Sequence, residues 1–212
     1  MPTLVLCDDY WHPARTPRAG LAPLAERGFT FDWLENGRAG AAEKMNSYPT
    51  IILTKANHTT ATNQQPWLNE HVAAAFVDYV RRGGGLLVIH SGAAGYEDVP
   101  LLRNLLGGIF DHHPPQCPVM LQPQPHHPLT TGSHPFTITD EHYFMHFDDD
   151  QADIFLTTTS AHGTQPGGWS RTEGAGRVCV LTPGHNLEVW LHPVYQNLIK
   201  NALHWCGNPP HT

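Results

Sequence analysis

The chain has 212 residues, enough to bury one sizeable core, and its 40% hydrophobic and 15% charged residues are the balance of a water-soluble globular protein. A formal charge of -7 with only 12 Lys and Arg argues against a phosphate-backbone partner, and no apolar run is long enough to cross a bilayer. Neither nucleic acid nor membrane is therefore expected as a partner, and homo-oligomerisation is left open.

The opening "MPTLVLCDDYWHP" has no basic start and turns acidic after a very short apolar stretch, unlike a signal peptide. The 4 cysteines (Cys7, Cys117, Cys179 and Cys206) are widely spaced with no CxxC pair. Reduced, buried thiols in a cytoplasmic protein are expected. "TLVLC" reads as a buried strand, "FTFDWLE" as a second after a proline-punctuated segment, and "TIILTK" (Thr50 to Lys55) as a third. In "PWLNEHVAAAFVDYVRRGGG", Pro66 stands at an expected first helical position. Leu68, Val72, Ala75, Phe76 and Tyr79 then fall at helical spacing, and arginines and glycines close the helix. "LLVIH" is a continuous apolar strand, and "VPLLRNLLGG" a short helix ended by glycine. From Cys117 to Asp150 the pattern breaks into short pieces interrupted by proline, either an antiparallel extension or a lid over the sheet edge. "IFLTTTS" and "GRVCVLTPGHN" restore strands, and "PVYQNLIKNALHWCG" closes the chain as an amphipathic helix.

Strands that are apolar throughout and alternate with helices indicate a parallel sheet covered on both faces. With no linker or repeat, residues 1–212 read as a single domain. Ligands of such open sheets bind beyond the carboxyl ends of the strands. Those ends are Cys7-Asp8-Asp9, Lys55-Ala56-Asn57-His58 and His90-Ser91-Gly92, where polar residues collect.

The 16 histidines must be sorted by position, because most loop histidines only meet water. His90 follows four apolar strand residues and precedes Gly92, the setting of a sharp turn that raises a side chain into a cleft. Ser91 lacks the G-x-S-x-G context of a nucleophile and is read as a substrate contact. In "DEHY", Glu141 and Tyr143 share one side of an extended chain, and Asp140 and His142 the other. "TPGHN" brings His185 to another strand end. His90, Glu141 and His185 could form an acid–base cluster or three ligands of a divalent metal such as zinc, although their spacings match no compact metal motif. His113 and His127 directly precede proline, which stiffens their loops, and His113 is placed with Tyr143 at the rim. Trp11, Tyr96, Trp169 and Trp190 are either core or sugar-stacking residues, with Tyr96 taken as a substrate contact.

These stretches together, with "LLGGIFDHHPP", "HHPLTTG", "GGWSR" and "NALHW", resemble the ThuA-like family, named for trehalose utilisation and related to the class I glutamine amidotransferase fold. The resemblance covers most of the chain beyond residue 80 and is weaker in the opening strands. It implies a flavodoxin-like α/β three-layer sandwich with a central, mainly parallel sheet, and a role in carbohydrate metabolism. Amidotransferase relatives carry a cysteine at the elbow and a His-Pro-Glu near the C-terminus. Here those places hold His90 and Gly184-His185-Asn186, so glutaminase activity is not expected. Two classes of function follow. One is an enzyme acting on a disaccharide or keto-sugar derivative by hydrolysis, elimination or isomerisation, with His90, Glu141 and His185 at its centre. The other is a non-catalytic carbohydrate-binding or regulatory module. Cleaving an unactivated glycoside needs two opposed carboxylates, and only Glu141 stands out, whereas a keto group acidifies the neighbouring C–H and asks only for acid–base groups.

Overall fold

The structure, a computed structural model, describes residues 2–38, 40–149 and 152–207. The elements in chain order are β1 (Pro2–Leu6), α1 (Arg15–Ala25), β2 (Thr30–Leu34), α2 (Ala41–Met45), β3 (Thr50–Leu53) and α3 (Glu70–Arg81). There follow β4 (Gly85–Ile89), α4 (Pro100–Leu106), β5 (Gly108–His112), β6 (Cys117–Pro123), β7 (Phe136–Asp140) and β8 (Phe144–Phe147). The last described elements are β9 (Asp153–Ser160), β10 (Gly163–Glu173), β11 (Gly176–Leu181), α5 (Leu187–Leu191) and α6 (Pro193–Gly207).

A 9-stranded sheet has the order β2-β1-β3-β4-β11-β10-β9-β6-β7. From β2 to β11 every neighbouring pair is parallel. β10, β9, β6 and β7 extend it in antiparallel fashion. β5 and β8 pair separately as a two-stranded ribbon. The continuous apolar strands follow from coverage on both faces, since alternate residues then enter different cores. Leu4, Leu6, Ile51, Leu53, Leu86, Val88, Val178 and Val180 pack with residues of α2, α3 and α4. Val5, Cys7, Ile52, Leu87, Ile89, Cys179 and Leu181 pack with residues of α1, α5 and α6. This is the expected flavodoxin-like three-layer sandwich.

One sequence expectation changes, and one open alternative is decided. Helix α3 begins at Glu70, not near Pro66, because the Asn69 side chain accepts from the Val72 N–H and caps the first turn. Leu68 is buried just before the helix, and Ala73, Phe76, Val77 and Val80 form its buried stripe with Tyr79. The proline-broken segment from Cys117 supplies the sheet strands β6 and β7, so it is an extension of the sheet, and β8 pairs with β5 outside it. Asp150, the end of that segment, lies outside the described residues.

Candidate functional site

The parallel strands end in a cleft, and the chain turns sharply there. β4 passes into a short 3-10 turn at His90, whose φ of 48° is left-handed. A non-glycine residue adopts that conformation at a cost, and such residues concentrate at functional sites. Gly92 permits the turn, since a Cβ there would lie 2.0 Å from the Leu53 carbonyl oxygen. His90 is 1% exposed and its Nδ1 lies 2.8 Å from the Thr182 carbonyl oxygen. A carbonyl only accepts, so Nδ1 carries the proton and Nε2 keeps its lone pair.

Asp140, at the end of β7, is buried and accepts from the backbone N–H groups of Gly184 (2.8 Å), His185 (3.1 Å) and Asn186 (3.2 Å). Burial pushes its pKa up to about 6 despite those donors. The contact ties the "DEHY" segment to the "TPGHN" turn and so sets Glu141 beside His185. Glu141 Oε1 lies 3.1 Å from His185 Nδ1 and 3.6 Å from His113 Nε2, and Oε2 lies 3.4 Å from His90 Nε2. Neither His90 Nε2 nor His185 Nδ1 makes a well-aligned hydrogen bond, although both are buried. Burial alone would raise the Glu141 pKa, but the His185 and His90 rings outweigh it and hold the carboxyl well below the usual range. Burial lowers His90 to about 4, whereas Glu141 raises His185. At neutral pH, His90 is neutral and Glu141 ionised.

The sequence reading missed His12. It follows β1 on a loop anchored by Asp9, a fully buried carboxylate. Asp9 Oδ1 accepts from the N–H groups of Trp11 (2.8 Å) and His12 (2.9 Å), and Oδ2 from that of Ala56 (2.8 Å). Its burial is outweighed by the His12 ring and these donors, which lower its pKa to about 2. His12 Nδ1 sits 2.9 Å from Asp9 Oδ1, leaving Nε2 buried without a partner. His12, His90, Glu141 and His185 each offer one ligand atom, and these atoms lie within 4.8 Å of one another. The D-x-x-H spacing after the first strand was the available signal.

A cleft of about 480 Å³ opens above this cluster, a size suited to a small ligand. Glu141 and His185 are on its surface with Trp11, His58, Phe110, His113 and Tyr143. His90 is not on that surface and lies beneath it, its ring 4.0 Å from that of Tyr143. Tyr143 was expected at the rim, but it is 2% exposed and burial keeps its phenol protonated. His113 is part-exposed in the cleft wall, and its Nδ1 lies 2.8 Å from the Pro114 carbonyl, which leaves Nε2 facing Glu141. Two residues taken as substrate contacts do not reach the cleft. Tyr96 is fully buried and donates to the Lys55 carbonyl, and Ser91 is 1% exposed. Trp169 and Trp190 are core, whereas Trp11 is 65% exposed at the mouth. His127 bonds Asp153 far along the antiparallel strands.

The family model ThuA, trehalose utilisation, matches residues 5–206. The chain belongs to the ThuA family. No curated protein matches it. A ThuA-like protein of Parabacteroides merdae shares its fold with a TM-score of 0.80 and 17% identity, over 100% of this chain and 92% of that one. A ThuA-like protein of Bacteroides uniformis has a TM-score of 0.74 and 19% identity, over 97% and 91% of the two chains. A cytoplasmic protein of Salmonella typhimurium LT2 has a TM-score of 0.74 and 15% identity, over 97% and 99%. Among the described residues, no helix is long and apolar enough to cross a membrane.

Proposed function

We propose that this ThuA family member is a cytoplasmic enzyme that moves a proton beside the carbonyl of a keto-sugar derivative, within carbohydrate metabolism. One observation carries the reading: an ionised Glu141 lies 3.1 Å from His185 Nδ1 and favours its protonated form, at the floor of a cleft walled by Trp11, Phe110 and Tyr143. Aromatic walls suit the apolar faces of a sugar ring, and the protonated Tyr143 phenol is a donor for its hydroxyls. The His185 imidazolium polarises the carbonyl oxygen and stabilises the enolate that forms. The lone pair of His113 Nε2, facing into the cleft, accepts the C–H proton. His90 acts through Glu141 and is a positioning residue, because it lies beneath the cleft surface.

The test is solvent deuterium incorporation at the carbon beside the carbonyl, screened over keto derivatives of disaccharides. Exchange should occur, and His185→Ala and His113→Ala should each slow it by about 10²–10⁴-fold. Tight binding of such sugars without exchange, equal in both variants, would make the protein a carbohydrate-binding module instead.

A further inference from the structure

Three imidazoles and a carboxylate meet at the floor of the cleft with unpaired lone pairs facing one another. His90 Nε2 presents a lone pair because its Nδ1 proton is engaged by the Thr182 carbonyl. His12 Nε2 presents another because its Nδ1 proton is engaged by the Asp9 carboxylate. Glu141 faces His90 Nε2 at 3.4 Å and His185 Nδ1 at 3.1 Å. Three of these ring nitrogens (His12 Nε2, His90 Nε2 and His185 Nδ1) are buried and lack a hydrogen-bond partner among the described residues. Buried acceptors turned toward one another repel, and a single proton on His185 answers only part of that repulsion. A divalent cation answers all of it.

We propose that His12 Nε2, His90 Nε2, Glu141 and His185 Nδ1 bind one divalent transition-metal ion of the zinc type. Ligands 2.0–2.1 Å from a tetrahedral zinc stand roughly 3.3 Å from one another. The 3.1 Å and 3.4 Å separations at Glu141 match that spacing, and with no two of the four atoms beyond 4.8 Å only a small closure is needed. The rings approach edge-on, His12 to His90 at 80° and His12 to His185 at 81°, so their nitrogen edges converge without stacking.

The surrounding groups are those a metal site requires. Ligating histidines commonly donate their other N–H to a carboxylate or a backbone carbonyl, which fixes tautomer and orientation. Asp9 does this for His12 and Thr182 for His90, while Asp140 holds the backbone of His185. Asp9 is itself locked by three backbone N–H groups, so the His12 ring is held in place before any ion arrives. Asp9 and Glu141 together carry two negative charges, which balance a divalent ion. A set of three imidazoles and one carboxylate favours zinc or its first-row neighbours over magnesium and calcium, which prefer oxygen ligands.

The centre uses the site of the proposed reaction but does not depend on it. An ion held there would supply the carbonyl polarisation otherwise given by a His185 proton, and His113, which is not one of the four ligands, would keep its place as the base. The test is therefore metal uptake itself. Full-length protein stripped with chelator is titrated with zinc chloride and, separately, with cobalt chloride, reading bound metal by elemental analysis and the visible absorption of bound cobalt. One ion per chain is expected, with the intense absorption of a four- or five-coordinate cobalt site. Asp9→Asn should weaken binding by about 10–100-fold, and His12→Ala by more. Circular dichroism checks that each variant is folded, and His185→Ala, at a part-exposed ligand, is expected to weaken binding likewise and carries the test should Asp9→Asn or His12→Ala fail to fold. Failure of the wild-type chain to take up zinc or cobalt, or unchanged affinity in the folded variants, overturns the metal centre and leaves the acid–base reading standing. Stoichiometric uptake without deuterium exchange supports the centre and overturns the reaction.

Discussion

Two carboxylates in this molecule are flanked by histidines, and only one of them makes a credible site. Asp111 on β5 lies 2.8 Å from His112 Nδ1 and 3.1 Å from His146 Nε2 on the paired strand β8. Glu141 lies within 3.6 Å of His90, His113 and His185. The residue types and distances are alike, but the surroundings differ. Asp111 and both its histidines are exposed, so water can satisfy every nitrogen and screen the charge. The Glu141 cluster is largely shielded, with His90 fully buried and fixed from behind by the Thr182 carbonyl, and the facing nitrogens His90 Nε2 and His185 Nδ1 are buried without partners. The ribbon that carries Asp111 outward turns Phe110 into the cleft. A histidine-rich sequence thus gives a candidate site where burial and rear support coincide, and ordinary surface where they do not.

That contrast can be broken by substitution. Glu141→Gln should have the largest effect, lowering kcat for the keto-sugar reaction by about 10²–10⁴-fold, because it removes the negative charge that faces His90, His113 and His185. Steady-state kinetics on a folded variant checks this, and turnover near wild type would place the chemistry elsewhere.

Effects beneath the cleft should appear in stability. Lys55 is fully buried, and its ammonium donates to the carbonyls of Cys7, Asp8 and Glu35. Lys55→Met leaves these acceptors unsatisfied and should cost roughly 1–3 kcal/mol in denaturant titrations. Burial lowers the Lys55 pKa from 10.5 to about 8. Between those values the unfolded chain binds the extra proton, so the stability contributed by Lys55 rises with pH there and is lost as pH falls through 8. The gap between wild type and Lys55→Met should accordingly widen from pH 8 to 10, by at most about 1.4 kcal/mol per pH unit. A gap that narrows would contradict the assignment. Tyr96→Phe removes one buried hydrogen bond, to the Lys55 carbonyl. It should cost about 1 kcal/mol and leave sugar affinity unchanged, since Tyr96 does not reach the cleft. The smallest effect belongs to Asp111→Asn, for which neither turnover nor Tm should move.

The layered fold was legible because its strands are apolar on both faces and its helices are closed by ordinary signals such as Gly107, a left-handed cap after α4. The meeting of His90, Glu141 and His185 was legible from strand ends and from the alternation in "DEHY", which points Glu141 and Tyr143 to the cleft while Asp140 and His142 turn inward. The rest depended on contacts across the chain. His12 is joined to the cluster by Asp9, whose role rests on the Ala56 N–H, 47 residues away. Ser91 and Tyr96 follow His90 closely in sequence, but Ser91 is buried within the 3-10 turn and Tyr96 is drawn into the core toward the Lys55 carbonyl. The depth of His90 beneath the cleft is fixed by Thr182, 92 residues away, which no local pattern reveals.

The most direct test is an anomalous difference map from crystals soaked in zinc and recorded at the zinc absorption edge. A single strong peak is predicted roughly 2.0–2.2 Å from His12 Nε2, His90 Nε2, a Glu141 oxygen and His185 Nδ1, with none of comparable height beside Asp111. A peak only at Asp111, or none at the four converging atoms, would contradict the claim that burial and rear support make the Glu141 cluster the functional centre.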